Sequence, residues 1–111
     1  MSPTSDLSLL QGTLDVLVLK ALVFGPRHGY AVATWIRETS DETLNVEDRA
    51  LYVALHRLEA RGQVESEWGL SENNRRAKYY QLSDEGRKQL RAEATAWRRY
   101  AAAVFKVLET A

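Results

Sequence analysis

The side chains best suited to ionic chemistry are grouped in one short polar segment that follows Ser71. This segment carries three cations within four positions, preceded by an asparagine, and its members are Asn74, Arg75, Arg76 and Lys78. Guanidinium and ammonium groups at a turn are typical of contacts with phosphate oxygens, which they bind through charged hydrogen bonds. The same composition also fits a solvated hairpin tip that binds nothing. The pattern therefore indicates a phosphate-contacting site as one reading and a plain polar turn as the other.

Side chains that could support catalysis or metal binding lack the necessary spacing. The chain has two histidines, His28 and His56, which are far apart, and it has no cysteine. Glu65 and Glu67 alternate with polar neighbours, as expected for the wet face of a strand. No glycine-rich phosphate loop and no nucleophile elbow is found. We therefore expect neither an enzyme nor a metal site, and no cofactor; His28, beside a glycine, is predicted to be a turn residue.

A second set of polar and aromatic side chains recurs at helical spacing between Asp48 and Arg61. Leu51, Leu55 and Leu58 fall on one face of that helix and predict a buried stripe. The outward face and its flanks mix charged, aromatic and aliphatic side chains: Arg49, Tyr52, Val53, His56 and Arg57. Such a mixture suits a DNA groove better than bulk water, so these five are candidate DNA contacts. Two alternatives stay open, since Tyr52 also fits a half-buried flank position and an exposed histidine like His56 is common.

The helices and strands that position these two groups of side chains can be predicted from the sequence around them. Helices are predicted from about Leu7 to Phe24, ending at Gly25-Pro26, and from Gly29-Tyr30 to Ser40, with Tyr30, Ala33 and Ile36 as the buried stripe of the second. Strands are predicted over 63–68 and 77–82, joined by a wing over 69–76. Ser83 is expected to cap the last helix, and Asn45, Glu47 or Asp48 to cap the third. Trp35 and Trp68 are interpreted as packing residues.

This order of elements predicts the fold class. Helix, helix, hairpin and helix make a mainly α protein with a small β-hairpin (α+β), of the winged helix-turn-helix type with a long C-terminal helix. The predicted division is 1–83 for the winged helix-turn-helix domain and 84–111 for the C-terminal helix. In this layout one helix enters a DNA groove and the hairpin tip contacts the flanking phosphates.

The first and last helices have more apolar surface than one small domain can cover. The first helix is apolar nearly all round, and the last has apolar residues at steps of four and three, a heptad-type seam. Both features predict a homodimer. The interface residues that we expect are Leu10, Leu14 and Leu17 in the first helix and Leu90, Ala94, Trp97, Ala101, Val104 and Leu108 in the last.

Composition sets wider limits on what the chain does. It has 111 residues, enough for one core, with a formal net charge of zero. Residues 49–80 hold six basic and four acidic side chains, whereas residues 1–48 hold three basic and seven acidic ones. The positive bias thus lies where DNA contacts are predicted. The first residues lack the basic region of a secretory signal, and the apolar run from Leu14 to Phe24 is too short and too charged to cross a bilayer.

Nearly the whole chain from about Leu7 resembles the PadR-like transcriptional regulators, in particular the short subgroup with a single C-terminal helix. Each matching motif is weak alone, and the resemblance rests on their combination. The matching segments are Leu10 to Asp15, His28-Gly29-Tyr30, Leu51-Tyr52, Leu55 to Glu59, Glu67-Trp68-Gly69, Ser71 to Tyr80, Gly86 and Trp97. The resemblance implies a homodimeric, cytoplasmic DNA-binding repressor that binds a palindromic operator in double-stranded DNA. In some members a small aromatic effector binds at the dimer interface, and the candidate contacts here are Trp97, Gln11 and Asp15. Trp97 also fits plain packing within the dimer.

One segment departs from the family pattern. Where the family has small uncharged residues before the Leu-Tyr pair, this chain has Glu47-Asp48-Arg49-Ala50, and Val53 replaces a frequent proline. This segment is the end of the third helix that would enter the groove, and its two carboxylates would repel phosphate unless Arg49 or a neighbour neutralises them. An alternative interpretation uses the same segment: a winged-helix module for protein–protein interaction that does not bind DNA and meets a basic partner at Glu47 and Asp48.

Overall fold

The computed structural model describes residues 13–111, which form four helices and a three-stranded antiparallel sheet. The elements in chain order are α1 Thr13–Ala21, β1 Arg27–His28, α2 Gly29–Thr39, α3 Asp48–Ala60, β2 Val64–Leu70, β3 Arg76–Leu82 and α4 Asp84–Leu108. The predicted α+β winged helix-turn-helix with a long last helix is confirmed. The predictions for Leu10 and Gln11 lie outside the described residues, as does the predicted start of the first helix at Leu7.

The core lies between the three short helices and the inner half of the sheet. Leu19 and Leu22 of the α1 segment, Val32 and Ile36 of α2, and the α3 stripe Leu51, Leu55 and Leu58 are nearly or fully buried, together with Val64, Tyr80 and Leu82 of the strands. The α3 stripe is the one that the helical spacing predicts. From α4, only Leu90 packs against this cluster, half-buried.

The sheet has the order β1-β3-β2, and its first strand is the element that sequence reasoning missed. Arg27 pairs with Tyr80 and His28 pairs with Tyr79, so a two-residue strand covers the outer edge of β3. In the hairpin, Val64 pairs with Leu82 and Leu70 pairs with Arg76. Both hairpin strands are therefore slightly longer than the predicted ranges.

The predicted end of the first helix and the predicted buried stripe of the second are partly wrong. α1 ends at Ala21 rather than Phe24, because i→i+3 bonds from Leu22 and Val23 tighten the chain into turns before Gly25, whose φ is +133°. Ile36 is buried as predicted, but Tyr30 is 71% exposed and Ala33 is only half-buried, and Val32 is the other fully buried apolar residue of α2.

Of the N-caps predicted for α3 and α4, the one for α4 is correct and the one for α3 is wrong. Ser83 caps α4 as predicted, since its Oγ accepts a bond from the Gly86 amide at 3.0 Å. Glu47 occupies the N-cap position of α3, but its side chain makes no capping bond. α3 therefore begins without a side-chain acceptor at its N-cap, and the Asp48 charge in its first turn is the favourable electrostatic feature there.

Candidate nucleic-acid interface

The outward face of α3 is a solvent-exposed mixture of side chains, as predicted. Arg49 and His56 are exposed, Tyr52 is 50% exposed and Val53 is 54% exposed. On the opposite face Leu51, Ala54, Leu55 and Leu58 anchor the helix in the core. Because the helix is fixed from behind, its outward face is a rigid surface of about the size and shape that a major groove accepts.

Arg57, the fifth predicted DNA contact of α3, is turned toward α1. Its Nη2 and Nε donate to the two carboxylate oxygens of Asp15 at 2.5 and 3.3 Å. Arg61 Nη1 lies 3.9 Å from the same carboxylate. The hydrogen bond to Asp15 raises the pKa of Arg57. Burial of the guanidinium lowers this pKa, and the negative charge of Asp15 raises it further, so the net direction is upward. Asp15 is itself buried, so a ligand at Asp15, the predicted effector contact, would have to compete with Arg57.

Tyr52 packs across the start of α2. A Cβ at Gly29 would lie 2.6 Å from the Tyr52 hydroxyl oxygen, so a larger residue there would displace the end of this ring. The neighbouring His28 caps α2, its Nδ1 accepting from the Ala31 amide at 3.1 Å, and its ring meets Tyr79 edge-on at 5.4 Å between centroids. His28 therefore has a local structural role consistent with its prediction as a turn residue, and Gly29 explains why Tyr52 lies where it does.

The wing is a tight turn that extends beyond the core. The Ser71 amide donates to the Arg75 carbonyl at 2.8 Å, the Asn74 amide donates to the Ser71 carbonyl at 2.9 Å, and Asn74 has a φ of +59°. Asparagine tolerates this left-handed conformation better than most residues. Arg75 and Arg76 are both exposed. The turn thus presents Asn74, Arg75 and Arg76 at the tip, as predicted from the sequence.

Lys78 connects the wing to α3 instead of extending freely from the tip. Its Nζ lies 3.6 Å from Oε1 of Glu59, and the other carboxylate oxygen of Glu59 accepts a 2.5 Å bond from Ser66 Oγ. One α3 carboxylate therefore contacts both strands of the hairpin. These two contacts tie the hairpin to α3, and the sequence pattern assigns Glu59 no such role.

An open groove lies between the wing and the α2–α3 surface. Its volume is about 570 Å³. Tyr30 and Tyr52 line it on the helix side, and Trp68, Arg75, Arg76 and Lys78 line it on the hairpin side. Tyr80 also lines this groove. Burial of its phenol raises the pKa of Tyr80, and the charge of Glu59 and the neighbouring Tyr52 raise it further. Cations and aromatic rings together suit a phosphate backbone with its sugars.

Trp68 departs from its interpretation as a packing residue. It is 56% exposed, and the guanidinium carbon of Arg76 lies 4.5 Å from the centre of its ring. The alternation of β2 indicates this exposure: Trp68 lies on the same strand face as Val64 but four residues further out, beyond the reach of the core.

α4 leaves most of its apolar side chains exposed. Of the predicted interface, Leu14, Leu17, Leu90, Ala94 and Ala101 are half-buried, and Trp97, Val104 and Leu108 are 43%, 38% and 70% exposed. Trp97 Nε1 donates to Thr13 Oγ1 at 3.0 Å, which ties the middle of α4 to the first described residue of α1. A helix of 25 residues is about 38 Å long. It therefore extends well past the domain that it leaves.

Within residues 13–111, no group of three or more histidine or acidic side chains is placed to hold a metal ion. In the same range no helix has the length and apolar character needed to cross a membrane.

Comparison with known proteins gives a consistent result. Residues 18–92 match the family model described as Transcriptional regulator PadR-like family. A transcriptional regulator from Clostridium thermocellum has a similar structure, with a TM-score of 0.79 at 30% identity, over 87% of this chain and 94% of that one. A PadR family regulator from Eggerthella lenta gives 0.73 at 36% identity, over 91% and 86%. One from Clostridium difficile gives 0.73 at 28% identity, over 86% and 97%.

Proposed function

The chain belongs to the PadR-like family of transcriptional regulators, and from that premise we propose that it is a homodimeric, sequence-specific DNA-binding repressor. α3 enters the major groove, and the wing contacts the phosphates beside it. The observation that carries the proposal is the Glu59 carboxylate, which contacts Ser66 and Lys78 and so fixes the cationic wing beside the outward face of α3. Both DNA-contacting parts are thereby held in one orientation before DNA binds.

Dimerisation supplies what one subunit lacks. The 15 basic side chains of the chain are balanced by 15 acidic ones, so a single subunit has little excess positive charge with which to bind phosphate. The exposed apolar surface of α4 supports a partner helix there. Two subunits related by a two-fold axis present two α3 helices, which bind the two halves of a palindrome in major grooves about one helical turn apart.

The effector part of the proposal rests on Trp97. Its indole N–H is bonded to Thr13 while 43% of the residue remains exposed, so the ring is held in place and still accessible. A planar aromatic molecule stacks on this ring at the subunit interface and changes the angle between the subunits. Titration with a planar cationic dye should quench tryptophan emission in the wild type and much less in Trp97→Phe. Equal quenching of both proteins would remove Trp97 from the effector site.

The experiment that tests the main proposal is a mobility shift with the DNA that flanks the chain's own gene. A scrambled duplex of the same length and composition is the control, and both are measured at low and moderate salt. We expect the native duplex to be retained at a salt concentration that releases the scrambled one. Failure to bind any duplex at low salt would instead favour a protein–protein interaction module that uses the exposed Glu47 and Asp48.

A further inference from the structure

The outer half of the hairpin has two chemically different faces. On one face Trp68 and Leu70 of β2 stand beside Lys78 and Arg76 of β3. The inner part of this same face carries Ser66, which bonds to Glu59 of α3. The other face carries Glu65 and Glu67. The cationic face is therefore continuous with the exposed side of α3, whereas the acidic face points away from it.

Trp68 is not held in place by burial. More than half of it is exposed, its strand neighbour Leu70 is 66% exposed, and neither belongs to the core cluster. Its closest described aromatic–cation relationship is with Arg76, at 4.5 Å from ring centre to guanidinium carbon. A distance below about 6 Å is within the range of an attractive cation–π contact.

Stacking has a specific consequence for an arginine that binds phosphate. A free arginine side chain samples many rotamers, and ordering it on binding reduces the affinity gained. A guanidinium that already lies on an indole has lost part of that freedom, while the N–H groups at its edge remain directed outward. Stacking on the ring therefore reduces the conformational freedom that Arg76 loses when it binds a phosphate.

We propose that Trp68 is a positioning residue for DNA binding, which holds Arg76 in its phosphate-contacting conformation. This inference rests on the proposed function. It predicts that Trp68 and Arg76 act as one unit, and that the adjacent Arg75, over which no ring stacks in the described residues, acts independently of Trp68.

The test is a double-mutant cycle on operator affinity. Trp68→Ala should weaken binding about three-fold, because an unstacked Arg76 would lose its full rotamer freedom when it binds phosphate. In an Arg76→Ala background the same change should have no effect, whereas in an Arg75→Ala background it should again cost about three-fold. Trp68→Phe, which keeps an aromatic face, should restore most of the affinity. A loss that is the same in both backgrounds would overturn the inference, because Trp68 would then contact DNA directly or support the wing as a whole.

A second measurement needs no DNA. Side-chain relaxation of the Arg76 Nε–H group by NMR should show a more mobile guanidinium in Trp68→Ala than in the wild type, with Arg75 unchanged. Equal mobility in the two proteins overturns the inference alone. A wild-type chain that binds no duplex overturns the proposed function together with the role of Trp68 in it, even when the stack itself is observed.

Discussion

Asp15 and Arg57 are 42 positions apart in the sequence and form an ion pair in which two guanidinium nitrogens meet the two carboxylate oxygens. The pair joins α1 to the last turn of the candidate recognition helix. Its two members differ in exposure, since the Asp15 side chain is 8% exposed and that of Arg57 is 32% exposed. The difference matters because a group that reaches water can compensate for a lost partner, whereas a buried one cannot.

This asymmetry predicts an order of stabilities. Among the described residues, Arg57→Ala leaves the buried carboxylate with Arg61, 3.9 Å away, and should lower the free energy of unfolding by about 2–3 kcal/mol. Asp15→Ala leaves an arginine that can turn to solvent, and should cost about 1 kcal/mol. The double variant should be close to Asp15→Ala. Urea unfolding of all four proteins is the measurement, and equal costs for the two single variants would contradict the exposure argument.

The same pair shows where sequence reasoning reached its limit. Helical spacing correctly divided α3 into a buried stripe and an outward face, because burial of leucines dominates the energetics of a small domain. The orientation of the Arg57 side chain toward α1 was not predictable, because it depends on Asp15, which only the tertiary fold brings near. Spacing thus identifies faces, while individual pairings at the edge of a face need the structure.

The sheet illustrates a second limit. The hairpin was predictable from alternation and from a turn-prone connection, but β1 has only two residues, Arg27 and His28. Its pairing with β3 is set by the packing of α2, so no local pattern indicates it. Residue type alone predicts a packing role for Trp68, whereas its distance along the strand from Val64 places it beyond the core.

The buried phenol of Tyr80 predicts a dependence of stability on pH. Burial, followed by the charge of Glu59, raises its pKa above the ordinary value of 10.0. A raised pKa favours the neutral form in the folded state, so this contribution is complete below about pH 10 and is lost as the pH rises through the folded value. Tyr80→Phe should remove the titration. Chemical unfolding across an alkaline pH series should therefore show a shallower fall for the variant, and parallel curves would refute this.

The exposed seam of α4 predicts how dimerisation can be disrupted. Val104→Glu would place a charge in an apolar interface and should cost several kcal/mol of association free energy. Ala102→Glu is the matched control, because Ala102 is exposed and lies on nearly the opposite side of the helix. Sedimentation should give a monomer for the first variant and a dimer for the second. A wild-type chain that is monomeric at micromolar concentration would contradict the proposed dimer.

The wing arginines are predicted to contact phosphate and not bases. Arg75→Ala and Arg76→Ala should each weaken binding to every sequence about equally, and each should lower the slope of affinity against salt by about one unit. Glu67→Gln, on the opposite face of the hairpin, is the control and should leave the slope unchanged. Affinity measured on operator and random duplex over a salt series provides the check. A changed operator preference with an unchanged slope would mean that the arginine reads sequence.

Arg49 is predicted to read a base edge. It is exposed in the first turn of α3, the end of a recognition helix that enters the groove, and arginine binds guanine there through two parallel hydrogen bonds. Asp48 beside it gains from the helix dipole, which offsets part of its repulsion of phosphate. Arg49→Ala should therefore cost about 1–3 kcal/mol on the true operator and little on random DNA.

Arg49→Lys separates charge from geometry in the same experiment. Lysine keeps the positive charge but lacks the planar fork, so binding to random DNA should be retained while discrimination between operator and mismatched sites falls. Selection of preferred sites from a random pool, carried out with the wild type and both variants, is the measurement. If all three proteins select the same sequences, and lysine restores the affinity that alanine loses, Arg49 is a phosphate contact and another residue of α3 reads the bases.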